Sequence, residues 1–267
     1  MSLKRNEFVG IAAGGAVLAG RLNASAEPSL QAVPENDPSI VVSRVHLPRD
    51  GYALPAYAAQ PKDANAATPG VVVVLHIWGV DESIRDTVRR FAKAGFAAIA
   101  PDLYARQNPP DGDASGDYKP FIPIAQALVP NQVDGDLRAG ALWLKQAHPQ
   151  SKVGVTGFCM GGAIALRQAV NSAHAFSGVA AWYGKVAGID PAKIRIPVAG
   201  NYGEKDTGIP ADEVRAFAGA LTVPNDIVEY PAAGHGFFDR TRASWVPSAA
   251  ADAWARTIAF FAKYLRA

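Results

Sequence analysis

Residues 153–162 read Val-Gly-Val-Thr-Gly-Phe-Cys-Met-Gly-Gly and contain the only cysteine of the chain. A short apolar run ends in a Gly-x-Cys-x-Gly-Gly turn, and residues 163–170 then read as a helix. This is the strand–turn–helix pattern of a nucleophile elbow, with Cys159 where a serine usually stands. The turn between strand and helix is tight, so Gly157 and Gly161 supply room that a β-carbon would fill. At a helix N-terminus the aligned peptide dipoles favour a thiolate. On the motif alone, an inert buried cysteine in a glycine-rich turn is an equally good reading.

Outward from this stretch the chain alternates strand and helix. Residues 40–47 and 52–58 are strand-like and are separated by Pro48-Arg49-Asp50-Gly51, which predicts an N-terminal hairpin at a sheet edge. Residues 71–75 are a continuous Val/Leu run, as in a strand buried on both faces of a parallel sheet. A helix over 82–94, ending at Gly95, and a strand over 96–100 complete one parallel unit. Helix 133–148 leads into the Cys159 strand. Strands over 175–183, 196–202 and 226–230 follow, with helices over 211–221 and 249–264. The expected fold class is therefore α/β, a mostly parallel sheet of about eight strands with helices on both faces. Residues 104–131 break the rhythm, being rich in Pro, Asp and Gly, and read either as a substrate-covering loop or as a solvated excursion.

The 267 residues are 49% hydrophobic and 19% charged, which suits one well-packed domain over 27–267 and excludes a disordered chain. One cysteine excludes an internal disulfide. Residues 1–26 are set apart: Lys4 and Arg5 precede a small apolar run over 8–19, and Ala24-Ser25-Ala26 has the form of a cleavage site, so we expect an export signal. The run is too short for a permanent membrane span. The expectation is an exported protein, periplasmic in a bacterium, or a cytoplasmic one if residues 1–26 do not act as a signal. Lys4, Arg5 and Arg21 against Glu7 give +2, the whole formal net charge of +2, so the remainder is neutral. Nothing in that favours a nucleic-acid partner. His46, His148 and His174 have no ligand spacing with acids or with Cys159, so no metal and no cofactor are expected.

Two further residues complete a catalytic set. Asp206 follows strand 196–202 through Gly203-Glu204-Lys205, and His235 lies in Ala233-Gly234-His235-Gly236 just past strand 226–230. Nucleophile, acid and base thus occur in that order, each just after a strand, at the carboxyl edge where open parallel sheets place ligands. Taken singly, Asp206 could cap a turn, Glu204 could compete for the acid role and His235 could be a loop histidine. Together they require three coincidences in the right order. Trp78, Trp182, Tyr183, Phe237 and Phe238 flank predicted strand ends and read either as cleft lining or as aromatic core.

Over nearly its whole length, from the hairpin to the last helix, the chain resembles the dienelactone hydrolase (carboxymethylenebutenolidase) family. The motifs that carry the likeness are Gly157-Phe158-Cys159-Met160-Gly161-Gly162, Gly203-Glu204-Lys205-Asp206, Tyr230-Pro231-Ala232-Ala233-Gly234-His235-Gly236-Phe237 and Ala253-Trp254-Ala255-Arg256-Thr257. The resemblance implies an α/β-hydrolase fold and a triad of Cys159, Asp206 and His235. The backbone N–H groups of Ile77 and Met160 would form the oxyanion hole. It implies hydrolysis of a small ester or lactone, of the dienelactone kind, through a thioacyl-enzyme. In that family Arg106 matches an arginine that holds a substrate carboxylate, and Arg240 is the nearest match to a second one after the histidine, with Arg242 close by. Trp78 and Phe237 would line the substrate site. The departure is His76, which stands where the family commonly has a glutamate that meets the nucleophile's thiol, so His76 is expected to tune Cys159. The partner expected is a small-molecule ester or lactone, and the chain is expected to act as a monomer. A broad carboxylesterase and a non-catalytic binding protein on the same fold are the rival readings.

Overall fold

The computed structural model describes residues 30–113 and 116–266. The expected export signal over 1–26 lies outside the described residues. Among those described, no helix is long and apolar enough to cross a membrane.

Among the described residues, eight strands form one sheet in the order β1-β2-β4-β3-β5-β6-β7-β8, with β1 at Ile40–Arg49, β2 at Tyr52–Pro61, β3 at Gly70–Val74, β4 at Ala97–Pro101, β5 at Val153–Phe158, β6 at Val179–Trp182, β7 at Val198–Gly203 and β8 at Asn225–Tyr230. The β1–β2 hairpin pairs antiparallel and β2 joins β4 antiparallel; every other pairing is parallel. β3, β4, β5, β6 and β7 are buried along their whole length, the reason each reads as an unbroken apolar or small-residue run.

Helices α1 (Glu82–Lys93), α2 (Ile122–Gln126), α3 (Pro130–Ala147), α4 (Met160–Asn171), α5 (Ala211–Ala220) and α6 (Pro247–Leu265) complete the fold. Strand register assigns their faces. Val71 pairs with Gly154, and a β-carbon on Gly154 would strike Phe261 of α6. Val72 pairs with Val155 and lies against Gly140 of α3, so α6 and α3 cover opposite faces. α1 joins α6 through Phe91, whose ring stands 5.9 Å from Phe261 and 4.7 Å from Trp254. α4 joins α3 through buried Asp134, which accepts from Gln168 Nε2 at 2.6 Å and Asn171 Nδ2 at 3.0 Å.

The described residues of segment 104–131 hold more local structure than its composition suggests. It carries two single 3-10 turns at Ala105–Gln107 and Lys119–Phe121 before α2, and it buries Phe121. α3 begins at Pro130, three residues before the expected start, because proline suits the first helical turn, where no N–H partner is needed.

The β5–α4 turn determines how the site is built. A β-carbon on Gly161 would sit 2.2 Å from the Leu75 carbonyl oxygen, and one on Gly157 would sit 2.1 Å from the Gly161 carbonyl oxygen. Both obstacles are backbone, which cannot rotate away. Gly161→Ala is therefore expected to push α4 off β3 at a cost of about 1–3 kcal/mol. That corresponds to a fall of roughly 3–10 °C in the thermal midpoint followed by circular dichroism. An unchanged midpoint would mean that the helix start is not pressed on β3 as described.

Candidate active site

Cys159 is the N-cap of α4 and holds φ 57°, ψ −120°, a conformation sparsely populated by any residue with a side chain. Its N–H donates to the Trp182 carbonyl at 3.0 Å, and its own carbonyl accepts from the Gly162 N–H at 3.0 Å. These bonds fix the turn from both sides, and Sγ is presented above the carboxyl edge of the sheet. Met160 opens α4, so its N–H is among the first-turn donors that have no intrahelical acceptor.

The other two members arrive on loops pressed against each other. Glu204 N–H donates to Tyr230 O at 3.1 Å and Lys205 N–H to Ala233 O at 2.9 Å, which joins the β7 loop to the β8 loop. Asp206 is buried whereas Glu204 is exposed, and that difference decides between the two acids. Asp206 Oδ1 accepts from the Gly208 N–H at 2.9 Å, leaving Oδ2 at 2.7 Å from His235 Nδ1. His235 Nε2 then faces Cys159 Sγ at 3.0 Å. Tyr183, itself at φ 36°, meets the imidazole in a T-shaped contact with ring centroids 5.2 Å apart. Burial alone would lower the imidazole pKa, but the hydrogen bonds to Asp206 and to Cys159 outweigh it and raise it to about 10.

Cys159, Met160, Tyr183 and His235 separate two cavities. One, of about 570 Å³, is lined mainly by Ala163, Ile164, Ile189 and Ile209, with Arg167 and Lys185 among its walls. The other, of about 640 Å³, is lined by His76, Ile77, Trp78, Tyr118, Asp239 and Arg242 among others. Tyr118 and Ile122 show that segment 104–131 contributes to the site wall. Tyr104 Oη donates to the Ile77 carbonyl at 3.2 Å and steadies the turn after β3 that carries Ile77 and Trp78.

Three expected substrate-site residues lie elsewhere. Arg106 forms a two-pronged pair with Asp136 of α3, at 2.7 and 3.1 Å, and its guanidinium lies 4.6 Å from the Tyr52 ring centroid, away from both cavities. Phe237 is 0% exposed, packed among Tyr183, Trp182 and Tyr230, because an apolar ring at this turn is drawn into the core. Arg240 faces Asp86 of α1 at 3.6 Å, whereas Arg242, two residues on, enters the cleft and lies 3.7 Å over the Trp78 ring. His76 does line the cleft. Its Nε2 is 2.8 Å from Asp81 Oδ1 and its Nδ1 3.9 Å from Asp239 Oδ2, so its ring nitrogens face two acids and not the thiol. Neither Asp81 nor Asp239 stands out in the sequence as a site residue; in the structure Asp81 is also the N-cap of α1, its side chain accepting from the Ile84 N–H. Among the described residues no group of three or more His, Cys, Asp or Glu could hold a metal ion.

This geometry has relatives. The profile of the Dienelactone hydrolase family matches residues 54–265. A Salmonella typhimurium protein named "Putative carboxymethylenebutenolidase" is 37% identical over 85% of this chain and 89% of its own length. The Escherichia coli protein of the same name is 36% identical over the same shares. The crystal structure of a "Putative Dienelactone Hydrolase" from Klebsiella pneumoniae superposes with a TM-score of 0.78 at 36% identity, covering 84% of this chain and 99% of that one. The chain belongs to the dienelactone hydrolase family, and with it to the carboxylic ester hydrolases of α/β-hydrolase fold.

Proposed function

We propose that the protein hydrolyses a small ester or lactone through a thioacyl-enzyme on Cys159. The observation that carries this reading is the continuous line from Asp206 Oδ2 through both nitrogens of His235 to Cys159 Sγ, at 2.7 and 3.0 Å. His235 takes the thiol proton on Nε2, and Asp206 holds the imidazole in the tautomer that leaves Nε2 free to accept it. The thiolate attacks the carbonyl carbon, and the N–H groups of Met160 and Ile77 receive the developing oxyanion. The tetrahedral adduct collapses as His235 returns the proton to the departing alkoxide, leaving a thioester. Water, deprotonated by the same imidazole, then cleaves that thioester and releases the acid and the free thiol. A thiolate is also a good leaving group, so activated esters and lactones suit this route better than amides.

The two cavities on either side of Sγ favour a second reading of range within the same chemistry, in which both the acyl and the leaving portion vary and the enzyme acts as a broad small-ester carboxylesterase. The test is rapid acid quenching during turnover of an aryl acetate, followed by intact-mass and peptide analysis. An acetyl group on Cys159, released by hydroxylamine and absent in Cys159→Ala, is the expected result. Turnover with no adduct that persists in Cys159→Ala would sink the proposal. A parallel panel of cis- and trans-dienelactone and small aryl esters separates the lactonase from the broad esterase.

A further inference from the structure

We infer that Asp239 determines specificity in the Trp78-lined cavity, selecting substrates that place a hydrogen-bond donor such as a hydroxyl there and rejecting those that place a carboxylate there. The inference rests on the hydrolase reading above and narrows its substrate class.

Asp239 is 5% exposed and contributes to the wall of that cavity. Its Oδ1 is occupied, accepting from the Thr241 N–H at 2.9 Å and the Thr241 hydroxyl at 2.6 Å. Its Oδ2 is buried with no hydrogen-bond partner. Two cationic or potentially cationic groups face that oxygen, Arg242 Nε at 3.6 Å and His76 Nδ1 at 3.9 Å, both beyond hydrogen-bond length. Arg242 Nε is itself buried without a hydrogen-bond partner, as is Trp78 Nε1 in the same wall. A native protein leaves few buried polar atoms unsatisfied, and a cluster of them in a ligand cavity marks where a ligand's polar group belongs.

The kind of group follows from the charges. Arg242 is shared between Asp239 and Asp81, whose Oδ2 lies 3.7 Å from its terminal nitrogen, and His76 stands between the same two acids. A substrate carboxylate would be a third anion in a space where two already face one guanidinium. A hydroxyl can accept from Arg242 Nε while donating to Asp239 Oδ2, and so satisfies both orphaned atoms at once. The other two arginines considered for anion binding are committed elsewhere, Arg106 to Asp136 and Arg240 to Asp86.

The test uses two unsaturated five-membered lactones that differ in one substituent, hydroxymethyl in one and carboxylate in the other. Calorimetry on the full-length Cys159→Ala protein reads binding without turnover, and kcat/KM on the wild type reads the hydrolase chemistry separately. The hydroxymethyl lactone is expected to bind at least about tenfold more tightly. Asp239→Asn keeps an oxygen for the Thr241 contacts and is expected to remove most of that preference, because without the like charge the carboxylate compound binds more tightly. Equal or tighter binding of the carboxylate lactone, an unchanged ratio in Asp239→Asn, or binding of neither compound would overturn the assignment. Loss of Cys159-dependent turnover with the binding preference intact would instead count against the hydrolase reading alone.

Discussion

In Cys159→Ala, kcat for an aryl acetate is expected to fall by about a thousandfold or more, with the fold and the thermal midpoint nearly kept. The strained φ of 57° is imposed by the turn, and alanine meets the same backbone there as cysteine does. What is lost is the atom 3.0 Å from His235 Nε2, and with it the covalent route proposed above. Oxyanion donors and a histidine able to activate water would remain, so the residual rate should exceed that of free solution. Cys159→Ser is the sharper probe. Serine restores a hydrogen bond to Nε2, but its hydroxyl is a far weaker acid than a thiol, so His235 must remove the proton during attack. The expected loss is about a hundredfold or more, read as kcat/KM with KM little changed. If serine and alanine both kept wild-type rates, the thiol would be a bystander and a water-based mechanism on His235 would take its place.

The order of elements was legible because the sheet is buried on both faces over most of its strands, which compels runs such as Val71 to Val74 to be apolar throughout. The elbow was legible because only glycine fits against the Leu75 and Gly161 carbonyls. Asp206 and His235 could be placed because each lies within a few residues of a strand end, so the topology brings them together whatever their side chains do. The walls of the cleft were less accessible to sequence reasoning. In the turn after β8, Phe237, Arg240 and Arg242 are separated by only a few residues, and which of them enters the cleft depends on the turn's dihedral angles, including φ 75° at Gly236. The result is that Phe237 joins the core, Arg240 reaches α1 and Arg242 lies over Trp78. No periodicity encodes such a choice. The His76–Asp81–Asp239–Arg242 cluster joins a strand end, a helix cap and a distant loop, and only the folded chain brings them together.

The pH dependence of kcat/KM is expected to show an alkaline limb near pH 10 in the wild type, moved to lower pH by Asp206→Asn together with a loss of rate. The sign follows from the direction of the His235 shift. Burial opposes the charged imidazole, yet Asp206 and Cys159 outweigh it and hold the pKa at about 10, above the ordinary 6.5. Below that value the imidazolium is present and can give its proton to the departing alkoxide; above it the donor is lost and acylation slows. Removing the Asp206 carboxylate withdraws one of the two groups that hold the pKa up, so the limb must descend toward neutrality. The asparagine amide introduced by the substitution can also present an N–H to Nδ1, which favours the tautomer with the proton on Nε2 and so blocks acceptance of the thiol proton. The combined loss in kcat/KM is expected to be about a hundred- to ten-thousandfold at neutral pH. The two effects separate experimentally: the shift is read from the pH at half-maximal rate, the tautomer effect from the pH-independent plateau. The free-enzyme profile belongs to the coupled Cys159–His235 pair, so titrating the histidine by NMR in Cys159→Ala adds an independent reading, with a pKa below that of the wild type because the Sγ contact is gone. A wild-type limb that falls near pH 7 and does not move in Asp206→Asn would mean that the 2.7 Å contact between Asp206 and His235 does not govern the base.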